Sequence, residues 1–138
     1  MIRYLALNNS HFPFNDVRMR QAVSLAIDRK NLVDALYMGY AEPTMNVLNY
    51  TSPGYKEFPL EHNLAKAKQL AHEVLGDKRC DVTYCINGAE SLQKGEAELI
   101  AYWLGKIGLD VHIQSLEYAT RAKMLRKGDY DIARLQKG

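Results

Sequence analysis

Histidine, cysteine and carboxylate side chains are the groups in this sequence that could carry chemistry. The four histidines, His11, His62, His72 and His112, are scattered, and none stands in a recognised motif with Ser, Cys or Asp. The pair His72-Glu73 falls on a predicted helix, where adjacent positions point in different directions, so we interpret both side chains as facing solvent. A nucleophile needs a base and an orienting partner. No catalytic residue is therefore predicted.

Motifs that bind cofactors or metals are absent as well. The sequence contains no Gly-x-Gly-x-x-Gly, no Gly-Lys-Ser/Thr phosphate loop and no His-Glu-x-x-His, and Gly76-Asp77-Lys78 lacks the rest of a phosphate loop. We therefore predict neither a cofactor nor a metal. A small enzyme whose paired carboxylates meet only in space stays open, because a sequence does not show spatial pairs.

The two cysteines, Cys80 and Cys85, are predicted to be free. They are five residues apart on one extended segment, so they point to opposite faces of a strand. Their spacing does not suit a zinc knuckle, and no histidine pair lies nearby. We interpret both as buried thiols that pack as small hydrophobic side chains.

Length and composition indicate one compact globular domain over residues 1–138. The hydrophobic share is 47% and the charged share 25%, which is average for a soluble protein. Lys+Arg total 18 against Asp+Glu 16, a net charge of +2, which argues against bulk attraction to nucleic acid or an anionic membrane. No segment is apolar for long enough to span a bilayer, and residues 1–9 do not form a signal peptide.

The elements that must position these residues alternate between strands and helices. Apolar stripes at three- and four-residue spacing predict helices after caps at Asn15, Asp28 and Asn63, and further helices ending near Lys106 and Lys127. Strands are predicted over 2–7, 81–86, 109–114 and from 130 onward, the first of them buried. A long loop is predicted over 40–62. This order favours an open α/β layer.

Several segments resemble the oligopeptide-binding family of extracytoplasmic solute receptors, which deliver peptides, nickel complexes or related solutes to ABC importers. Residues 13–22 read Pro-Phe-Asn-Asp-Val-Arg-Met-Arg-Gln-Ala and residues 26–29 read Ala-Ile-Asp-Arg, after a Leu-Ala-Leu-Asn strand at 5–8. The segments 63–68, 97–98, 107–111 and 128–131 are similar to further family segments in the same order. The resemblance therefore runs through nearly the whole chain.

The resemblance implies an open mixed sheet with packed helices, forming one lobe of a bilobed fold like the type II periplasmic binding proteins. Residues 1–138 would be a single domain that corresponds to the later lobe of a longer protein. The implied function is to bind a peptide or similar small solute together with a partner lobe, without enzymatic activity. The implied partners are the solute and the permease subunits of an ABC transporter. The full-length protein would be periplasmic or anchored outside the cytoplasm.

The resemblance also implies three ligand-binding residues. Tyr4 matches a tyrosine that lines the cleft, Tyr118 an aromatic that walls a side-chain pocket, and Arg134 an arginine that takes a ligand carboxylate. The alternative for Arg134 is a strand-edge ion pair, for example with Asp131. The alternative for both tyrosines is core or rim packing.

This chain departs from the peptide-binding members at three positions. Ala6, Tyr37 and Leu92 stand where such members can place an acidic residue, a lysine and a histidine. These departures argue against a broad oligopeptide specificity. They leave ligand identity open, and the same lobe could also serve as a sensor module fused to a cytoplasmic transcription regulator.

Overall fold

Strands and helices alternate along the chain, as the sequence pattern predicts. The structure, a computed structural model, describes residues 2–37 and 61–137. Within them lie, in chain order, β1 (Ile2–Leu7), α1 (Val17–Ala26), α2 (Arg29–Leu36), α3 (Leu64–Leu75), β2 (Cys80–Asn87), α4 (Ser91–Gly105), β3 (Leu109–Leu116), α5 (Tyr118–Lys127) and β4 (Ile132–Lys137). The loop predicted over 40–62 lies, except for its last two residues, outside the described residues.

The four strands of the described ranges form one open mixed sheet in the order β1-β4-β2-β3. β2 pairs in parallel with both β3 and β4, and β1 pairs antiparallel with β4. This arrangement confirms the predicted α/β class. The prediction that β1 is buried is wrong, because β1 pairs on one side only and forms an edge strand, with Arg3 and Tyr4 exposed.

Polar side chains cap the first three helices. Asp28 and Asn63 accept from the backbone N–H groups of Asn31 and Lys66, as predicted. The prediction that Asn15 caps α1 is wrong: Asp16 is the cap and accepts from the Arg18 N–H. The backbone N–H groups of Asn15 and Asp16 still bond to carbonyls of the preceding turn, so the helix begins one residue later.

The core lies between one face of the sheet and helices α1, α3 and α4. Val82, Tyr84 and Ile86 alternate along β2 and are buried against Phe14 and Met19, among others. The other face carries Cys85, whose neighbour is the Arg121 guanidinium of α5. Because successive strand residues point to opposite faces, α4 and α5 cover different faces of the same sheet.

Both cysteines are free, as predicted, with Cys85 buried and Cys80 only half-buried. The Cys85 Sγ donates to the Gln114 side-chain oxygen at 3.4 Å. Burial raises the pKa of both thiols, which favours the unreactive protonated form. Across the described ranges, every helix is too short or too polar to cross a membrane.

Candidate functional site

The three predicted ligand residues lie toward one edge of the sheet. β2, β3 and β4 are parallel, so their carboxyl ends meet at this edge, together with the amino end of the antiparallel β1. Tyr4 pairs with Leu135 near the end of β4, next to Arg134. Tyr118 begins α5, two residues after β3 ends. We call this the carboxyl edge, where open α/β sheets bind their ligands.

The three residues do not share one face of the sheet at that edge. Tyr4 lies opposite Leu135, and Leu135 and Arg134 are successive residues of β4. Their side chains therefore point to opposite faces. Tyr4 and Tyr118 are 38% and 77% exposed, whereas Arg134 is 2% exposed. The two tyrosines are thus open to solvent, whereas Arg134 is buried on the face of the sheet that α4 covers.

Arg134 belongs to a buried polar cluster that joins three elements. Its Nη2 donates to Glu96 Oε1 on α4 at 3.1 Å, and the Tyr37 hydroxyl, just after α2, donates to the same oxygen at 2.8 Å. Arg134 Nη1 donates to the Gln136 side-chain oxygen at 3.0 Å. The Glu96 side chain is 6% exposed. This Arg134–Glu96–Tyr37 cluster is the most enclosed charged group among the described residues.

The ion pair of Arg134 differs from the alternative suggested by the sequence. β4 lies between β1 and β2, so Arg134 is not on a strand at the sheet edge. Asp131 does not pair with it. Instead the Asp131 carboxylate accepts from the backbone N–H and hydroxyl of Thr83 at 2.9 and 3.2 Å, and lies 3.2 Å from His11 Nδ1.

Electrostatics keep Arg134 a cation and Tyr37 a neutral phenol. Burial alone would lower the pKa of Arg134, but the charge of Glu96 and its hydrogen bond outweigh burial, so that pKa is raised. Burial, then the hydrogen bond to Glu96, raises the pKa of Tyr37, so this hydroxyl stays protonated. The net charge of the cluster is zero.

Two buried polar atoms of this region lack a hydrogen-bond partner in the described part of the chain. They are the Tyr84 hydroxyl, on the same face of the sheet, and the Arg134 Nε–H. Burial raises the pKa of Tyr84, so its hydroxyl also stays protonated. Both atoms can therefore donate to an acceptor that enters the cluster.

Glu96 is the residue of this site that the sequence analysis missed. The buried positions of α4 are Gln93, Glu96, Ala97, Ile100, Trp103 and Leu104. Two polar residues thus continue the apolar stripe toward the start of the helix at three- and four-residue spacing. A carboxylate on the inward stripe of a helix is the signal that would have predicted a buried ion pair.

A second polar group orders the turn at the carboxyl edge. The buried Gln93 accepts from the Asn87 backbone N–H at 3.0 Å and donates to the Glu90 carboxylate at 2.8 Å. The Asn87 side chain in turn accepts from the Ala89 N–H at 3.0 Å. These bonds fix the connection between β2 and α4. The Gly88 N–H in this connection also donates to the Leu116 carbonyl, which holds it beside the end of β3.

A cavity in the described ranges lies at the opposite edge of the sheet. It measures about 260 Å³ and is lined by the second half of α3, by the connection from α3 to β2 and by the connection from α4 to β3. Lys68, Lys78 and Lys106 surround it, as expected where cations offset the negative ends of helix dipoles. The described residues also contain no group of three His, Cys, Asp or Glu side chains that could hold a metal. Neither feature coincides with the carboxyl edge.

An α/β lobe with polar and aromatic groups at its carboxyl edge is typical of a solute-binding domain. The family model described as "Bacterial extracellular solute-binding proteins, family 5 Middle" matches residues 1–138. The chain therefore belongs to this family of solute-binding proteins. The resemblance stated from the sequence motifs is confirmed.

Relatives of known name and structure are similar over almost the whole chain. The periplasmic oligopeptide-binding protein OppA of Salmonella typhimurium is 27% identical over 140 residues, which cover 95% of this chain and 26% of that protein. The heme-binding protein A of Haemophilus influenzae is 29% identical over 136 residues, 93% of this chain and 24% of that protein.

A solved structure gives the same fold. The periplasmic binding protein DppA of Helicobacter pylori, in complex with the peptide STSA, superposes with a TM-score of 0.88 at 29% identity, covering 96% of this chain and 26% of that one. The fold predicted from the resemblance, a lobe like those of the periplasmic binding proteins, is confirmed. The chain spans about a quarter of the length of these relatives.

Proposed function

We propose that this chain is the ligand-binding lobe of a solute receptor for an ABC importer and that the receptor binds a peptide or similar small solute outside the cytoplasm. The single observation that carries the proposal is the match of fold and sequence to peptide-binding receptors over nearly the whole chain. Binding, rather than catalysis, is the role of the site. The permease subunits of the importer are the proposed protein partners.

The ligand lies at the carboxyl edge in this proposal. Tyr4 and Tyr118 offer exposed aromatic faces that can pack against the solute. Arg134 offers its Nε–H, which has no partner among the described residues, to an acceptor atom of the solute. A second lobe, supplied by the full-length receptor, covers the solute, and the extra contacts in the closed form favour closure.

The proposal predicts weak binding by residues 1–138 alone, because one lobe offers half of the cleft. Titration calorimetry with the tetrapeptide Ser-Thr-Ser-Ala is the measurement. No heat of binding at micromolar concentrations is expected. Micromolar affinity of the isolated chain for this peptide would contradict the two-lobe arrangement.

The experiment that tests the proposal concerns the natural gene product. An antibody raised against residues 1–138 is used to follow the protein through fractionation of the source cells. A band several times heavier than 15.7 kDa, released with the periplasmic or membrane-anchored fraction, is expected. A band near 15.7 kDa in the cytosol would overturn the transport function, and a heavier cytosolic band would instead favour the sensor module of a transcription regulator.

The same natural protein is then used to identify the solute class. Ser-Thr-Ser-Ala, tri-alanine and heme are suitable probes, since the names of relatives include peptides and heme. The substitution Tyr118→Ala should weaken binding of the solute that the protein takes by about tenfold, through loss of aromatic contact area. Tyr102→Ala removes another exposed tyrosine, on α4, and is the matched control.

A further inference from the structure

The charge of Arg134 is cancelled inside the protein before any solute arrives. Glu96 lies 3.1 Å from the guanidinium, and both side chains are almost fully buried. The two opposite charges act on a solute together, as a dipole. The attraction of Arg134 for an anionic solute is therefore largely cancelled by the repulsion from Glu96. The phenol of Tyr37 adds a hydrogen bond to Glu96 but no charge.

Among the described residues, the two other cations near the cluster, Arg3 and Arg121, are separated from the Arg134 guanidinium by water or by the sheet. Arg3 lies over the Tyr37 ring, with its guanidinium carbon 5.2 Å from the ring centroid, but Arg3 is exposed and screened by water. Arg121 approaches β4 from the opposite face, where it donates to the Arg134 carbonyl. The Arg134 Nε–H, which has no hydrogen-bond partner among the described residues, thus belongs to an ion pair without net charge.

We infer that Glu96 is a specificity-determining residue: it makes Arg134 a hydrogen-bond donor without net charge, so that this lobe does not select solutes that carry a free carboxylate. The inference rests on the proposed function, which places the solute at the carboxyl edge. A peptide acid and the corresponding peptide amide both offer an acceptor oxygen to the Nε–H. The lobe therefore accepts either.

The test compares Ser-Thr-Ser-Ala and tri-alanine with their C-terminal amides, by calorimetry on the full-length natural protein. For each variant, the affinity for the peptide acid is divided by the affinity for its amide, and this acid-to-amide ratio is compared with that of the unaltered protein. Residues outside this chain contribute equally to the ratio in every variant, so their effect cancels. The substitution Glu96→Gln leaves the Arg134 charge uncompensated. We expect the acid-to-amide ratio to rise about tenfold or more. A cation close to a carboxyl group favours its ionised form by roughly 10- to 1,000-fold, and only the peptide acid carries such a group.

Two further variants complete the design. Glu98→Gln removes an exposed carboxylate of the same helix and should leave the ratio unchanged. The double variant R134M/E96L removes both charges together, and buried ion pairs tolerate such replacement. It should weaken acid and amide equally, because only the Nε–H donor is lost, and so keep the ratio within about twofold. This variant keeps the test decisive where Glu96→Gln folds poorly.

A carboxylate probe without a peptide separates this inference from the proposed function. In protein labelled with ¹⁵N-arginine, acetate should shift the Arg134 Nε–H resonance at about tenfold lower concentration in Glu96→Gln than in the unaltered protein. If no peptide binds the unaltered protein, the proposed function fails for peptides, and the acetate titration still decides the role of Glu96.

Two results would overturn the inference. One is an acid-to-amide ratio that falls several-fold in R134M/E96L, because Arg134 would then already select carboxylates. The other is a folded Glu96→Gln protein with an unchanged ratio and no stronger response to acetate than the unaltered protein.

Discussion

At the scale of single residues, Asn8 holds the two ends of the described chain together. Its Nδ2 donates to the carbonyls of Gly128 and Tyr130, both at 2.9 Å, and its backbone N–H donates to the Asp131 carbonyl. Its Oδ1 accepts from the Ser10 N–H. One side chain thus fixes the end of β1 against the α5–β4 connection.

Replacing Asn8 with alanine should destabilise the protein by about 1–3 kcal/mol, because partly buried carbonyls lose their donors. Urea unfolding followed by circular dichroism measures the change in the free energy of unfolding. Asn9→Ala, at the exposed neighbouring position, is the control and should lie within about 0.5 kcal/mol of the unaltered protein. Equal effects of the two substitutions would show that the Asn8 hydrogen bonds contribute nothing.

At the scale of secondary-structure elements, the cap at the start of α1 contributes to the stability of the fold in a pH-dependent way. The side-chain hydrogen bonds of Arg18, and second its backbone N–H, lower the pKa of Asp16 from 3.8 to about 2. Because the folded-state pKa lies below the usual value, the charged form stabilises the fold above ~pH 4, and this contribution disappears as the pH falls toward 2.

The free energy of unfolding of the unaltered protein should therefore exceed that of Asp16→Asn by a constant amount near neutral pH. This difference should shrink between about pH 4 and pH 2. Urea midpoints across this range, with an NMR titration of the Asp16 carboxyl, measure it. Asp34→Asn, an exposed carboxylate on α2, controls for the loss of one negative charge. An advantage that grows on acidification would contradict the assignment.

The end of α5 depends on a left-handed residue. Gly128 has φ 75° and ψ 21°, and its N–H bonds to the last carbonyls of the helix. Gly128→Ala should cost about 1 kcal/mol, because a Cβ disfavours this conformation. Gly128→Asn should cost clearly less, since asparagine tolerates left-handed backbone. Thermal unfolding of both variants distinguishes them, and an alanine variant as stable as the asparagine variant would be unexpected.

At the scale of the whole molecule, the Arg134–Glu96–Tyr37 cluster joins the sheet to two helices. Arg134→Met alone leaves Glu96 buried without its partner and should cost about 3–5 kcal/mol. The double variant R134M/E96L should recover most of that loss, because an apolar pair needs no compensation. Chemical denaturation of the three proteins measures this. A double variant no more stable than the single one would mean that Glu96 does not carry its charge in the folded state.

The sequence predicted most of the fold because most of its signals are local. The caps Asp28 and Asn63 and the glycine after α5 act within one turn of backbone, and the predicted span of α5 matches the structure. The inner stripe of α3 needed only three- and four-residue spacing. The cap of α1 was misplaced by one residue, because the turn that precedes it extends to Asp16.

What the sequence by itself determined is the α/β order, most of the helix ends and, through the segments from residue 5 to residue 131, the family. Only the tertiary structure decided what surrounds Arg134. Its partner Glu96 lies 38 positions away along the chain, and Tyr37, which donates to Glu96, lies 97 positions away. Their meeting depends on how α2 and α4 pack relative to β4. Strand pairing likewise placed Tyr4 and Arg134 on opposite faces. Long-range packing brings these groups together, and no local pattern encodes it.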